Sequence, residues 1–351
     1  MEYIFGDVLK IKNGKNQKAV ENPNGQYPIY GSGGVMGYAD DYICDADTVI
    51  IGRKGSINNP IYVSEPFWNV DTAFGLSARK EILLPRYLFY FCKKFDFERL
   101  NKTVTIPSLT KSDLLKIKIK VPTINEQRLI IDKLTKIESV IDLRKRELEG
   151  LDDLVKARFV EMFGDRYVND RKWNSIKLGD CISFNNGKAH EQVVDENGEY
   201  ILVTSRAIAS DFKDVRRTNA LLFPLHKNDI VMVMSDVPNG KALAKCQLID
   251  EDGKYTLNQR ICSLDNYEYN PVFLLYLLNR HPYFLSFNDR NGQTNLRKND
   301  ILECELIVPP MELQIRFAAL VRESEKSKVA VQKALAEAQL LFDSLMQQYF
   351  G

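Results

Sequence analysis

The heptapeptide VPTINEQ at residues 121–127 returns as VPPMELQ at residues 308–314, 187 positions later. The same shift lays Leu109 on Leu296, Lys111 on Lys298, Asp113 on Asp300, Pro122 on Pro309 and Gln127 on Gln314. It also lays MFG (162–164) on YFG (349–351). Nearer the start a shift of 173 serves instead: FGDVLKIKNGK (5–15) lies over LGDCISFNNGK (178–188), matching Gly6, Asp7, Gly14 and Lys15. One motif can recur by chance, but ordered matches along a whole copy cannot. The chain is an internal duplication, with about fourteen residues added in loops of copy two.

Each copy has two parts. The first is a mixed region whose short β-branched runs, bounded by Gly, Pro and Asn, predict strands at DTVIIG (47–52), YILVTS (200–205) and NDIVMVM (228–234). A short apolar helix follows in each, PRYLFYFCKKF (85–95) and NPVFLLYLLNR (270–280). The second part is a long helical pattern, free of Gly and Pro over 125–149 and again over 311–350. The expected organisation is a globule at 1–122, a long helix at 123–164, a linker at 165–177, a second globule at 178–309 and a second long helix at 310–351.

In the first long helix, steps of four and three pick out Ile130, Leu134, Ile137, Ile141, Arg144, Leu148, Leu151, Val155, Arg158 and Met162. Adding 187 gives Phe317, Val321, Ser324, Lys328, Val331, Leu335, Ala338, Phe342, Leu345 and Tyr349. A sustained 3.5-residue period keeps one apolar stripe facing a partner helix, as in a coiled coil; a helix lying on its own domain would show a wider 3.6-period stripe. A helix of about 38 residues is roughly 57 Å long. If helix one carries the chain to the second globule, helix two buries its seam by returning. The expected fold is α+β: two mixed α/β globules separated by two long antiparallel coiled-coil helices, with a pseudo-twofold internal repeat.

Charge sets a limit on partners. Lys and Arg number 48 against 47 Asp and Glu, so any nucleic-acid face must be a local patch. Six cysteines never form Cys-x-x-Cys and never meet the three histidines at zinc spacing, which predicts buried or idle thiols and no metal. The start, MEYIFGDVLK, lacks a signal-peptide pattern, and no apolar run nears the ~18 residues of a membrane span. A soluble cytoplasmic protein is expected. GSGGVMG has Met36 where Gly-x-Gly-x-x-Gly needs its third glycine, and no Gly-Lys pair has the glycine a P-loop requires. Asn59-Pro60-Ile61-Tyr62 lacks the second proline of an amino-methyltransferase motif. The chain reads as non-enzymatic and without a cofactor.

Two related but divergent globules on a rigid spacer suit a polymer with two separated sites, and duplex DNA repeats a groove face every ~34–36 Å. The FGD/LGD…NGK openings, the VPTINEQ and VPPMELQ junctions, and the heptad helix ending KARFVEMFGD (156–165) resemble the specificity subunit of type I restriction–modification systems over essentially the entire chain. The resemblance implies two target-recognition domains, each reading half of an asymmetric bipartite site in double-stranded DNA. It implies that the helices are both spacer and docking platform for two methyltransferase subunits, and that a translocating restriction subunit can join. Copy two departs from the junction motif, with Leu313 where copy one has Glu126.

DNA readers combine phosphate contacts from Lys, Arg, Ser and backbone N–H groups with base-edge contacts from Arg, Asn, Gln and Ser. On that chemistry the copy-one candidates are Lys15, then Ser32 and Gly33 in YGSGGVMGYAD (30–40). Arg53, Lys54, Ser56 and Asn58 in IGRKGSINNP (51–60) follow, with Thr105, Ser108 and Lys111 in TVTIPSLTK (103–111). In copy two they are Lys188, then Ser205 (over Ser32) and Arg206, then Ser235, Asn239 and Lys241 in MSDVPNGK (234–241). NGQTNLRK (291–298) adds Gln293, Thr294, Asn295 and Lys298, rich in amides suited to adenine. Ordinary Gly-rich turns are the competing explanation for the first two loops of copy one. Arg216 and Arg217 read more readily as solvated surface, and His190 as a lone exposed histidine. The spacer and partner helices are marked by Ile130, Leu134, Ile137, Ile141, Leu148, Leu151, Val155, Val321, Val331, Leu335, Phe342 and Leu345. Two other classes stand beside the DNA reader. A standalone enzyme would transfer methyl groups by itself. A coiled-coil scaffold would retain no specific duplex at physiological salt, where nonspecific phosphate binding is weak.

Overall fold

The computed structural model describes residues 1–101, 107–190, 192–237, 240–288 and 292–351. They form two compact units: Met1–Glu147 with Val331–Gly351, and Leu148–Ala330. Two 40-residue helices, Ile124–Phe163 and Met311–Phe350, each contribute residues to both units.

Both units follow one plan. In unit 1 a four-stranded antiparallel sheet runs in the order Leu9–Asn13, Ala73–Ala78, Thr48–Gly52, Ile61–Val63. In unit 2 the order is Ser183–Asn186, Ile261–Asp265, Ile230–Val233, Cys246–Leu248. Beside it lies a three-stranded sheet with one parallel pair: Gly34–Ala39, Tyr27–Gly31, Trp68–Asn69 in unit 1 and Arg216–Thr218, Tyr200–Val203, Tyr255–Leu257 in unit 2. The inner strand carries an unbroken apolar run because both its faces are covered. Val49 and Ile51 point into one core and Ile50 into another; Ile230 and Met232, then Val231 and Val233, divide in the same way.

The motifs that first revealed the repeat are devices for close packing. Gln127 and Gln314 are buried. The Gln127 amide donates to the carbonyls of Ile82 (2.8 Å) and Pro122 (2.9 Å) and accepts from Leu84 N–H (2.8 Å). Gln314 donates to Pro309 O and accepts from Asn270 N–H, both at 2.9 Å. Leu84 and Asn270 are the N-caps of the short helices Pro85–Lys94 and Pro271–Leu278. Each junction glutamine therefore ties the start of a long helix to the start of a short one, satisfying groups that burial would leave unpaired. The glycine of Asn-Gly-Lys has a steric role. A Cβ on Gly14 would lie 1.8 Å from Val70 O, and one on Gly187 would lie 2.1 Å from Asn258 O.

The Leu313 departure has a local cause. Glu126 accepts from Thr123 N–H and Oγ1 at 2.8 and 2.7 Å, a cap on the first long helix. The second helix starts behind Pro309-Pro310, and Leu313 packs against the unit-2 core instead.

The two long helices pair antiparallel within each unit. In unit 1, Leu134 and Ile141 cluster with Phe342 and Met346, and Lys133 Nζ reaches Tyr349 Oη. In unit 2, Lys328 pairs with Asp152 at 2.5 Å, and Phe159 and Phe163 both meet Phe317 edge-on. The heptad stripe holds through Val155 and then shifts by one residue: Arg158 is exposed and bonded to Glu161, while Phe159 and Phe163 are buried. The second helix shifts at the matching place, from Phe342 to Met346 and Phe350. Here the partner stops being a helix alone and becomes the globule, so the stripe follows the natural 3.6-residue period. Phe163 meets Phe273 at 4.7 Å, and Phe350 meets Tyr87 at 4.9 Å.

Copy two differs at two points. The strand expected to include Ser205 ends at Val203, because Thr204 Oγ1 accepts from Ala207 N–H and opens a short helix, Ser205–Ala209. The segment after Phe163 is tightly held. Arg166 donates to the carbonyls of Tyr276, Leu277, Asn279 and Arg280, satisfying the C-terminal end of the helix Pro271–Leu278. Trp173 Nε1 donates to Phe163 O at 2.9 Å. Five of the six cysteines are buried and all are free. No helix among the described residues is long and apolar enough to cross a membrane.

Candidate nucleic-acid interface

Backbone bonding gathers the sequence-selected loops of each copy into one cluster per unit. In unit 1, Leu109 N–H donates to Arg53 O (2.9 Å), Gly55 N–H to Pro107 O (3.1 Å), and Lys54 bridges to Ser108. Gly52 lies so close to Ser32 and Ser56 that an added Cβ would stand 3.1 Å from the Ser32 Cβ and 2.3 Å from Ser56 O. Lys15 joins through Asn69: its N–H donates to Asn69 O at 2.9 Å, and Val70 N–H donates to Tyr30 O at 3.0 Å. Lys15, Gly33, Arg53, Lys54, Ser56 and Lys111 are exposed, and Ser32 and Ser108 are half-buried.

Unit 2 repeats the arrangement. Leu296 N–H donates to Met234 O at 2.8 Å, and the bridge seen in unit 1 becomes a short ribbon pairing Ser235 with Asn295 and Asp236 with Thr294. Lys188 N–H donates to Leu257 O, and Asn258 N–H to Val203 O. Asp236 organises the following loop by accepting from the N–H groups of Val237, Ala242 and Leu243. Lys188, Arg206, Lys241, Gln293, Asn295 and Lys298 are exposed. Arg206 pairs with Asp214 at 3.7 Å, and the Lys298 ammonium sits 5.5 Å from the centre of the Phe184 ring.

Several candidates serve the fold instead. The Asn58 amide donates to Asp96 and accepts from Phe97 N–H. Thr294 is buried, its hydroxyl on Asn288. Arg217 donates to Gly198 O and Glu199 O. His190 is buried, contrary to the exposed histidine expected: Nδ1 lies 2.7 Å from Lys188 O and Nε2 3.0 Å from Thr256 Oγ1. A Gly-x-x-His spacing in a tight turn gave no sign of that inward rotation. Thr105 and Asn239 lie outside the described residues.

Sequence reasoning missed a fifth segment. Arg53 N–H and Lys54 N–H both donate to Thr72 O, and Met234 N–H donates to Arg260 O in unit 2. The turns holding Asp71-Thr72 and Gln259-Arg260 therefore stand beside the candidate loops, with all four residues exposed. Neither turn carries a glycine-rich signal, so only the pairing of strands brings them into view. The heptad positions of the long helices face inward: Leu134, Ile141, Val155, Val321, Val331 and Phe342 are buried, and Ile130, Ile137, Leu148, Leu151, Leu335 and Leu345 half-buried. Another set faces outward on the same helices, including Leu129, Leu143, Leu154, Ile315, Val329, Leu340 and Leu341.

The strongly shifted titrating groups serve structure. Burial, with Arg166 beside it, pushes His281 down to about 4. Burial also lowers Arg166. Hydrogen bonds from Lys80 and Tyr62 hold Asp47 below the usual carboxylate range. Among the described residues no group of three or more His, Cys, Asp or Glu is placed to hold a metal ion.

Residues 1–152 and 170–335 match the family described as type I restriction modification DNA specificity domain. The chain is 21% identical to the MjaIX specificity subunit of Methanocaldococcus jannaschii, over 84% of this chain and 73% of the relative. It is 23% identical to the StySPI specificity subunit of Salmonella potsdam, over 84% and 70%. Its match to the EcoDI specificity subunit of Escherichia coli, at 22% identity, covers 43% of this chain and only 34% of that protein. The fold is similar to the crystal structure of a type I restriction–modification S subunit from M. genitalium, with a TM-score of 0.64 at 18% identity, covering 100% of this chain and 96% of that one. A chain from a structural study of type I system assembly and conformational transition gives a TM-score of 0.63 at 16% identity, covering 100% and 97%.

Proposed function

We propose that this chain, which belongs to the type I restriction–modification DNA specificity family, is the sequence-reading subunit of such a complex, each unit reading one half of an asymmetric bipartite site in double-stranded DNA. The observation that carries this reading is the loop cluster itself. It is built twice, at matching places on matching frames, and the two versions carry different exposed side chains: Arg53, Lys54 and Ser56 in one, Gln293, Asn295 and Lys241 in the other. Equal frames with unequal loops are what two readers of different sequences require.

The chain performs no chemistry itself in this reading; methyl transfer and cleavage belong to partners, in the cytoplasm. The long helices dock two methyltransferase subunits, and a restriction subunit joins that core. Their outward-facing Leu129, Leu143, Ile315, Val329, Leu340 and Leu341 support a protein-facing surface, since exposed apolar residues in number mark interaction sites.

The test is to co-express the chain with the modification subunit of its system and map methylated bases by single-molecule sequencing, before and after exchanging either globule for that of a relative. A motif of two specified blocks around an unspecified gap, with one block changing per exchange, is expected. Exchange of one globule that leaves both blocks unchanged overturns the two-reader model. A soluble complex with no duplex preference at physiological salt indicates a scaffold.

A further inference from the structure

The backbone hydrogen bonds of the two clusters match, but the place of the arginine within them does not. In unit 1 a strand-end residue, Arg53, is held between two backbone partners: its N–H donates to Thr72 O at 2.7 Å, and its carbonyl accepts from Leu109 N–H at 2.9 Å. In unit 2 the residue held in the same way is Met234, whose N–H donates to Arg260 O at 3.2 Å and whose carbonyl accepts from Leu296 N–H at 2.8 Å. Arg53 thus corresponds to Met234, and Thr72 to Arg260. The arginine has moved from one strand end to the neighbouring turn, yet each cluster keeps one arginine on this bonded pair.

Both arginines are exposed. Among the described residues neither guanidinium has a carboxylate partner, although exposed cations elsewhere commonly do, as in Lys80–Asp47, Lys177–Glu303 and Arg206–Asp214. The Arg53 guanidinium lies 5.8 Å from the centre of the buried Phe74 ring, which steadies the group without using its N–H donors. A rigid backbone carrying an unpaired planar fork of donors suits the paired acceptors O6 and N7 of guanine in the major groove.

We propose that Arg53 and Arg260 are specificity-determining residues, each reading a guanine in its own half-site. This rests on the two-reader function and adds to it the base and the residue. The test uses the complex with its modification subunit and compares methylated motifs for the unaltered chain, Arg53→Gln, Arg260→Gln, and the charge-keeping Arg53→Lys and Arg260→Lys. Each substitution is expected to relax one G·C position, with a tenfold to hundredfold loss of discrimination there, in one block only. The two arginines are expected to act on opposite blocks. Lysine, a point charge without the fork, should not restore the position. If methylation falls uniformly with the motif intact, and lysine restores it, the arginines bind phosphate and the proposal is overturned. An unchanged motif at unchanged efficiency overturns it as well. An unaltered complex that yields no bipartite motif sinks the two-reader function and this assignment together, which separates the two failures.

Discussion

Unit 1 and unit 2 share strand order, register and junction chemistry, yet they differ in how each holds the end of a long helix. In unit 2, Phe163 is fully buried among Phe159, Phe273 and Phe317; beyond it Arg166 bonds to the Tyr276 carbonyl of the globule, and Trp173 Nε1 bonds back to Phe163 O. In unit 1, Phe350 is half-buried against Tyr87 and Phe91. The same aromatic at the same repeat position therefore has unequal weight, because one ring is fully buried and the other is partly exposed. His281, whose value burial pushes down, also belongs to unit 2.

The largest break in this symmetry comes from the shared glycines. Gly14→Val and Gly187→Val drive a side chain into backbone carbonyls. Each should destabilise its own unit by on the order of 4 kcal/mol. Thermal unfolding read with limited proteolysis should show one unit cleaved and the other protected; equal loss in both would mean that the units do not fold separately.

Next come the helix ends. Phe163→Ala should cost about 4 kcal/mol, and Phe350→Ala roughly half that because its ring is already partly in water. Denaturant titration of both variants measures the gap, and equal costs would refute the unequal weighting. Gln127→Leu strips partners from three partly buried backbone groups, and Gln314→Leu from one buried and one partly buried group. Losses of about 3 and about 2 kcal/mol follow, again read from denaturant midpoints.

Acid sharpens the comparison further. His281 sits at about 4 when folded, against ~6.5 when unfolded. Its depressed value means the stability it contributes is present above pH ~6.5 and is lost as pH falls through about 4. Asp229, raised by its burial, acts in the opposite direction within the same unit. The measurement is therefore the difference between the unaltered chain and His281→Gln: the variant should lose part of the acid destabilisation of unit 2 between pH 6.5 and 4, and unit 1 should be unaffected. An identical pH profile for variant and parent would remove His281 from the account. The smallest expected effect is that of Glu126→Leu, which copies Leu313 into unit 1. It removes a helix cap, and a slight loss of unit-1 stability by denaturant titration is the outcome that fits.

Legibility followed physical range. Duplication, the inner strands, the short helices and the long heptad helices could all be read from local pattern, since period and β-branching report which faces are covered. So could the loops Arg53–Ser56 and Gln293–Asn295, whose polar, Gly-rich composition suits an exposed turn. The pattern could not report that the stripe shifts at Phe159 and Met346, because the change of partner from helix to globule lies in another part of the chain. It could not separate the amide of Asn58, used inside the protein, from that of Asn295, which is exposed: both are polar residues in loops.

The sequence by itself therefore determined the repeat, the element types and the polar loops that the structure exposes, because each is encoded by neighbours within a few turns of chain. Only the tertiary structure decided which side chains in those segments are free to act. It drew Thr72 and Arg260 into clusters that no motif marks, and it turned His190 and Thr294 inward. Pairings between strands set those outcomes: His190 meets Thr256, 66 positions away, and Thr294 lies opposite Asp236 on another strand.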